Sequence, residues 1–140
     1  MSADTLLSCL EGVKRTGPGR WLARCPAHSD KHPSLAIREL DDGRILLHDF
    51  AGCAVESVLS AVGLTFTDLH PSRAIAHACK PERRPFPAAD VLRAIGFETS
   101  IVSIAAAHLS RGDPLTETDR ARLLVAQSRV SAAMEETNHA

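Results

Sequence analysis

Apolar residues recur along this chain in two rhythms, one helical and one of period two. Leu6, Leu7, Leu10 and Val13 repeat at helical spacing, with Ser2 or Asp4 placed to accept from the first free amides. Gly17-Pro18-Gly19 ends that run, because two glycines around a proline cannot continue a helix. Cys9 falls on the apolar side of this helix and is expected in the core. Strand character follows. Arg20 to Arg24 is one short segment; Ser34 to Leu40 and Arg44 to Asp49 are two more, flanking Asp41-Asp42-Gly43, a sequence suited to a hairpin turn. The period of two puts Ile45, Leu47 and Asp49 on one face of the last strand, with Leu46, His48 and Phe50 on the other. A helix over 54–62 then buries Val55, Val58, Leu59 and Val62, and Gly63 stops it.

The texture changes at residue 71. His70-Pro71, Lys80-Pro81 and Arg84-Pro85-Phe86-Pro87 read as a Pro-rich linker over 71–87. Two long helical patterns follow. One runs over 88–110 with a stripe of Val91, Leu92, Ile95, Ile101, Val102, Ala105 and Leu109. Arg111-Gly112-Asp113-Pro114 breaks it. The second opens with Thr116-Glu117-Thr118-Asp119, a capping box with Asp in the Glu position, and carries Leu123, Leu124, Gln127, Val130, Ala133 and Met134. Joined by a short connection, the two predict an antiparallel helical hairpin.

No apolar run approaches the roughly 20 residues of a membrane span, and the N-terminus has neither a basic start nor an apolar signal core. The expectation is a cytoplasmic protein with no membrane partner. In a reducing compartment Cys9, Cys25, Cys53 and Cys79 are thiols or metal ligands rather than a disulfide framework. The net charge of -1 is uninformative, but its distribution is not. Seven bases stand against four acids between Lys14 and Arg44, then three acids and no Lys or Arg between Ile45 and Ser72. This is a modest basic footprint for a polyanion.

The chemistry gathers at Cys25-Pro26-Ala27-His28 and His48-Asp49-Phe50-Ala51-Gly52-Cys53, two knuckles separated by the predicted hairpin. A Cys-x-x-His turn lets a thiolate and an imidazole converge on one ion, and zinc takes four such ligands in a tetrahedron. Cys25, His28 and Cys53 supply three; the fourth is Asp49 or His48. Asp49 keeps the charge of a site built from three thiolates and one imidazole, whereas His48 sits on the opposite strand face. Gly52 suits the sharp turn between Asp49 and Cys53. A hairpin this small buries too little surface to hold itself together, so bound Zn2+ would supply much of its folding energy. Cys79 beside His77 is a second, partnerless Cys/His pair.

Over roughly residues 12 to 70, the string from Trp21 through Cys25-Pro26-Ala27-His28-Ser29-Asp30-Lys31-His32-Pro33-Ser34-Leu35, Asp42-Gly43-Arg44 and His48 to Cys53, ending at Val62-Gly63-Leu64, resembles the N-terminal zinc-binding domain of bacterial and phage DNA primases. The shorter phage and plasmid versions are most similar, which implies a mobile-element origin. In that family the ligands run Cys, His, Cys, Cys; here Asp49 stands where the third cysteine would be. The resemblance implies an antiparallel ribbon of three to five strands that touches single-stranded template DNA and serves the initiation of replication. The catalytic primase domain has no counterpart: Asp41-Asp42 lies in a turn and Glu135-Glu136 at a helix end, so the chain is not expected to prime alone and would work with a separate catalytic protein. Arg20, Arg24, Lys31, Arg38 and Arg44 are the candidate phosphate contacts and Trp21 or Phe50 the candidate base platform.

The predicted architecture is therefore α+β: a zinc-ribbon sheet with flanking helices over 1–70, the linker 71–87, and a helical hairpin over 88–140. Two other functions compete with nucleic-acid binding. One is a protein-interaction adaptor with a purely structural metal. The other is an enzyme using Cys25 or Cys53 as nucleophile, for which no third orienting group can be named.

Overall fold

The computed structural model describes residues 3–70 and 86–138. Helix α1 (Ala3–Ser8) leads into strands β1 (Lys14–Gly17), β2 (Arg20–Ala23), β3 (Leu35–Glu39) and β4 (Ile45–Asp49), which form one antiparallel sheet in the order β1-β2-β3-β4. Helix α2 (Val55–Ala61) and a 3-10 turn (Phe66–Leu69) follow, then α3 (Ala88–Ala94), α4 (Gly96–Ser110) and α5 (Glu117–Asn138). The fold is α+β, with a four-stranded sheet.

The alternation along β4 is realised: Ile45, Leu47 and Asp49 are buried on one face. Ile45 and Leu47, with Leu35 and Ile37 of β3, meet Leu6 of α1 and Val58 and Leu59 of α2 in the first core. The opposite face is covered too. Leu22 of β2, Ala36 of β3 and Phe50 form a second core with Phe86, Val91, Ala94, Ile95 and Ala133, so α3 and α5 pack on the back of the sheet. Burial on both sides explains why β3 reads as a continuous apolar run, Leu35-Ala36-Ile37, rather than an alternation.

Several sequence expectations change. Helix α1 stops at Ser8 instead of reaching Val13, and Cys9, placed in the turn beyond it, is exposed rather than in the core. Lys14–Gly17, expected as the end of that helix, is an edge strand. Gly17-Pro18-Gly19 turns the chain into β2. Gly19 has φ 62°, and a Cβ there would lie 2.9 Å from the Glu39 carbonyl oxygen, so both backbone and space call for glycine. The single helix over 88–110 is two helices bent by 63° at Ile95-Gly96. A mid-helix glycine is the weak point at which such a run yields to tertiary packing.

Helices α4 and α5 pack along one another. Thr116 and Asp119 form the expected reciprocal cap, with the Asp119 amide 3.1 Å from Thr116 Oγ1 and the Thr116 amide 3.1 Å from the Asp119 carboxylate. The buried line of α5 is Ala126 and Ala133, whereas Leu124 and Met134 are exposed, because close helix approach selects small side chains. No single helix among the described residues is long and apolar enough to cross a membrane. The stretch 71–85, with Cys79 and His77, lies outside the described residues; Phe86, from the end of the expected linker, belongs to the second core.

A buried carboxylate ties the helical half to the sheet. Asp90 of α3 accepts from Thr16 Oγ1 at 3.0 Å and lies 3.4 Å from Arg20 Nη1 and 2.8 Å from Arg93 Nη1. Both arginines reach solvent, so removing the carboxylate strands less charge than in a closed interior. Asp90→Ala is expected to lower stability by about 1–3 kcal/mol, read as a lower urea midpoint at unchanged slope. An unaltered midpoint would mean that α3 is held by its apolar contacts alone.

Candidate metal centre

The loop between β2 and β3 has no regular structure, and its conformation is set by side chains. Asp30 organises it: Oδ2 accepts from the Cys25 amide at 3.0 Å and lies 2.7 Å from Ser34 Oγ, while Oδ1 accepts from the His32 amide at 3.2 Å. This folds Cys25-Pro26-Ala27-His28 back toward the end of β4. There the chain leaves the strand through Gly52, at φ 98°, which lets Cys53 curl back beside Asp49. Asp49 locks that turn by accepting from the Ala51 amide at 3.3 Å and the Cys53 amide at 3.0 Å.

Ligand-capable atoms of Cys25, His28, Asp49 and Cys53 thereby lie within 4.8 Å of one another. In a tetrahedral zinc site with bonds of roughly 2.0–2.3 Å, neighbouring ligand atoms are about 3.3–3.8 Å apart, so a small inward movement completes the shell. His28 Nδ1 faces the cluster, 3.2 Å from Cys53 Sγ and 3.8 Å from Asp49 Oδ2. Its Nε2 faces Asp30 Oδ1 at 3.8 Å, the position of an outer carboxylate that orients a ligating imidazole.

The donor set fits a cation and is ill at ease without one. The Asp49 side chain is fully buried and the Asp30 side chain is 10% exposed. Ser34 Oγ sits 2.7 Å from an oxygen of each, with a single hydroxyl hydrogen to give. Burial, aided by the charges of Asp49 and Cys53 and opposed by the Ala27 amide, pushes the Cys25 thiol up to about 12. Burial also raises Cys53, with Asp49 adding to the effect. For Asp49, burial acts upward but is outweighed by hydrogen bonds from Ser34, Cys53 and Ala51, which hold the carboxyl below its ordinary range. Asp49 thus remains an anion beside two thiols that need a positive neighbour to ionise. Its two oxygens accept from the Ala51 and Cys53 amides and share the Ser34 hydroxyl with Asp30, leaving lone-pair capacity for an ion. Four protein donors make a closed site, the structural rather than the hydrolytic kind.

His48, the alternative fourth ligand, is on the other face of β4 and packs edge-on against Phe50 with ring centroids 4.4 Å apart. Phe50 itself is buried in the second core. Trp21 packs partly buried against the first core. Arg20 pairs with Asp90, and Arg38 is in register beside it. Arg44 pairs with Asp42 at 2.7 Å; Arg24 lies 3.9 Å from Glu11; Lys31 is exposed on the knuckle loop. Only Lys31 among these basic residues borders the same hollow as His28. Asp30 and Ser34, which brace the cluster, had no motif of their own; their signal was a pair of small polar residues inside the knuckle loop.

Searches of protein-family models, curated proteins and solved structures find no match to this chain.

Two predictions follow from the site. Cys25→Ser and Asp49→Ala should each lower bound metal well below one equivalent per chain, while His48→Ala retains it; metal analysis after dialysis reads this directly. Because both thiols are raised, metal must displace about two protons. Affinity should therefore fall as pH falls, by roughly a hundredfold per unit between about pH 7.5 and 8.5, measured by chelator competition. A slope near zero would show that the thiols are not the ligands.

Proposed function

We propose that this chain is a zinc-clasped, primase-like module that binds single-stranded DNA as an accessory in replication or priming and does not catalyse by itself. The observation that carries this reading is the convergence of Cys25, His28, Asp49 and Cys53 at one end of an antiparallel sheet, at the motif positions where the primase resemblance calls for ligands. Two thiols, an imidazole and a carboxylate suit zinc by softness and by number. Asp49 in place of a third thiolate makes the site harder, which predicts weaker discrimination against other divalent ions. The ion's work is mechanical: it pins the knuckle loop to the strand end and fixes the surface that loop presents. A separate catalytic protein would receive the bound template.

The adaptor reading draws on a different observation. Ile104 and Leu109 of α4 and Leu124 and Met134 of α5 are each more than half exposed, apolar side chains on the helical hairpin that a protein partner would cover.

The two readings separate in one titration. Fluorescence anisotropy of a labelled oligodeoxythymidylate should show binding at about 50 mM salt that weakens linearly in log affinity against log salt, and that is lost when the metal is stripped. No binding at that salt would overturn the nucleic-acid reading in favour of the adaptor.

A further inference from the structure

A nucleic-acid strand needs a cationic track for its phosphates and a flat surface for its bases. The central sheet offers neither, because α1 and α2 cover one face and α3 and α5 the other. Trp21 packs partly buried against the first core, and Arg20, beside Asp90, has a side chain only 28% exposed, against 58% for Arg93, which shares that carboxylate. Cations and aromatics come together elsewhere, along the seam where the knuckle loop meets the helices.

A groove of roughly 390 Å³ runs between the edge strand β1 and the end of α3. Lys14, Arg15 and Arg93 line it with Thr16, Leu22 and Pro33, and among the described residues no acidic one does. Lys14 and Arg15 are exposed on the edge strand; Lys14 is in register with Leu22 of the α3 face and Arg15 with Trp21 of the first-core face, so the two cations flank the sheet edge from either side. Asp90, the nearby acid, is spent on Arg20, Thr16 and Arg93. Two cations, Arg20 and Arg93, thus share one buried carboxylate, and Lys14 and Arg15 lie beside them on the groove.

The next hollow along the seam, of roughly 220 Å³, begins where this groove ends: His32 and Ser34 flank Pro33 in the chain, and Ala94 follows Arg93. Here the bend at Ile95-Gly96 turns Phe97 outward, 42% exposed. His32 stacks on it with ring centroids 4.1 Å apart and planes inclined by 17°. The Arg122 guanidinium lies 5.7 Å from the Phe97 ring centre, and Arg122 and Arg129 both pair with the buried Glu98. His32 is itself exposed, and its amide is held by Asp30, which also holds Cys25.

We propose that a single-stranded nucleic acid crosses this seam, its phosphates on Lys14, Arg15 and Arg93 and one base stacked on the His32–Phe97 pair. The inference rests on the nucleic-acid reading above and assigns its site. It places the contact at the sheet edge and the helical half, not on the sheet face, and predicts that the metal matters for binding, because the clasp positions His32 through Asp30.

The test uses the full chain with metal bound, at about pH 8, above the ordinary imidazole range. A labelled oligodeoxythymidylate is titrated at several salt concentrations against wild type, Lys14→Ala, Arg15→Ala, Arg93→Ala and His32→Ala. Arg111→Ala, at the far end of α4, is the charge control. An oligouridylate run alongside reports whether the strand is read through its sugar. Each cation variant should weaken binding and reduce the salt slope by about 0.7, the value for one phosphate on a single strand. His32→Ala should weaken binding about tenfold with the slope unchanged, since stacking releases no counterions. Arg111→Ala should match wild type. Unchanged metal content and circular dichroism confirm that the exposed substitutions leave the fold intact. If wild type binds but these variants bind equally well, the site is wrong while the nucleic-acid reading stands. If wild type binds no oligonucleotide at low salt, both fall.

Discussion

The convergence of four ligand side chains on one point is the constraint on which the rest of the structure depends. The loop between β2 and β3 carries Cys25 and His28, and the end of β4 with the turn beyond it carries Asp49 and Cys53. An ion held by these residues would cross-link the two segments at one end of the sheet. Their electrostatics suit a cation: two thiols raised by burial sit beside a carboxylate held ionised, with a second carboxylate on the same serine. Without a cation the two thiols stay protonated, and the loop is held against the strand end by the hydrogen bonds of Asp30 and Asp49 alone.

Around that clasp the sheet is covered on both sides. A ribbon alone would bury one face at most, and a small ribbon is marginal without its metal. Here α3 and α5 supply the second core, and Asp90 fastens α3 to β1 and β2 through Thr16 and Arg20. The C-terminal half is thus structural as well as a source of surface. Covering the sheet moves the accessible charge to its edge, where Lys14, Arg15 and Arg93 meet, and brings Phe97 against the knuckle loop.

The legible parts of the fold are those where local chemistry and tertiary demand agree. Asp41-Asp42-Gly43 turns the β3–β4 hairpin, and the period of two along β4 places Asp49 on the inner face and His48 on the other. Gly52 adopts the positive φ that the Asp49–Cys53 turn requires. What the chain hides is set by distant partners. Leu10 and Val13 pack on the first core from a turn and a strand approach, so their helical spacing is coincidental. Gly96 carried a signal for the break between α3 and α4, but a strong apolar stripe ran across it. Ala126 and Ala133, rather than the larger Leu124 and Met134, mark the buried side of α5 because the neighbouring helix comes close. Asp30 and Ser34 could not be singled out from spacing, since their role exists only once the knuckle loop is folded against β4.

The most direct measurement is thermal unfolding of the metal-loaded chain with and without an excess of strong chelator. If the ion holds the knuckle loop to the strand end, chelation should lower the midpoint sharply and expose Cys25 and Cys53 to a thiol reagent at low temperature. Superimposable melting curves, with both thiols still protected, would show that the sheet stands without the ion and would contradict the account at its base.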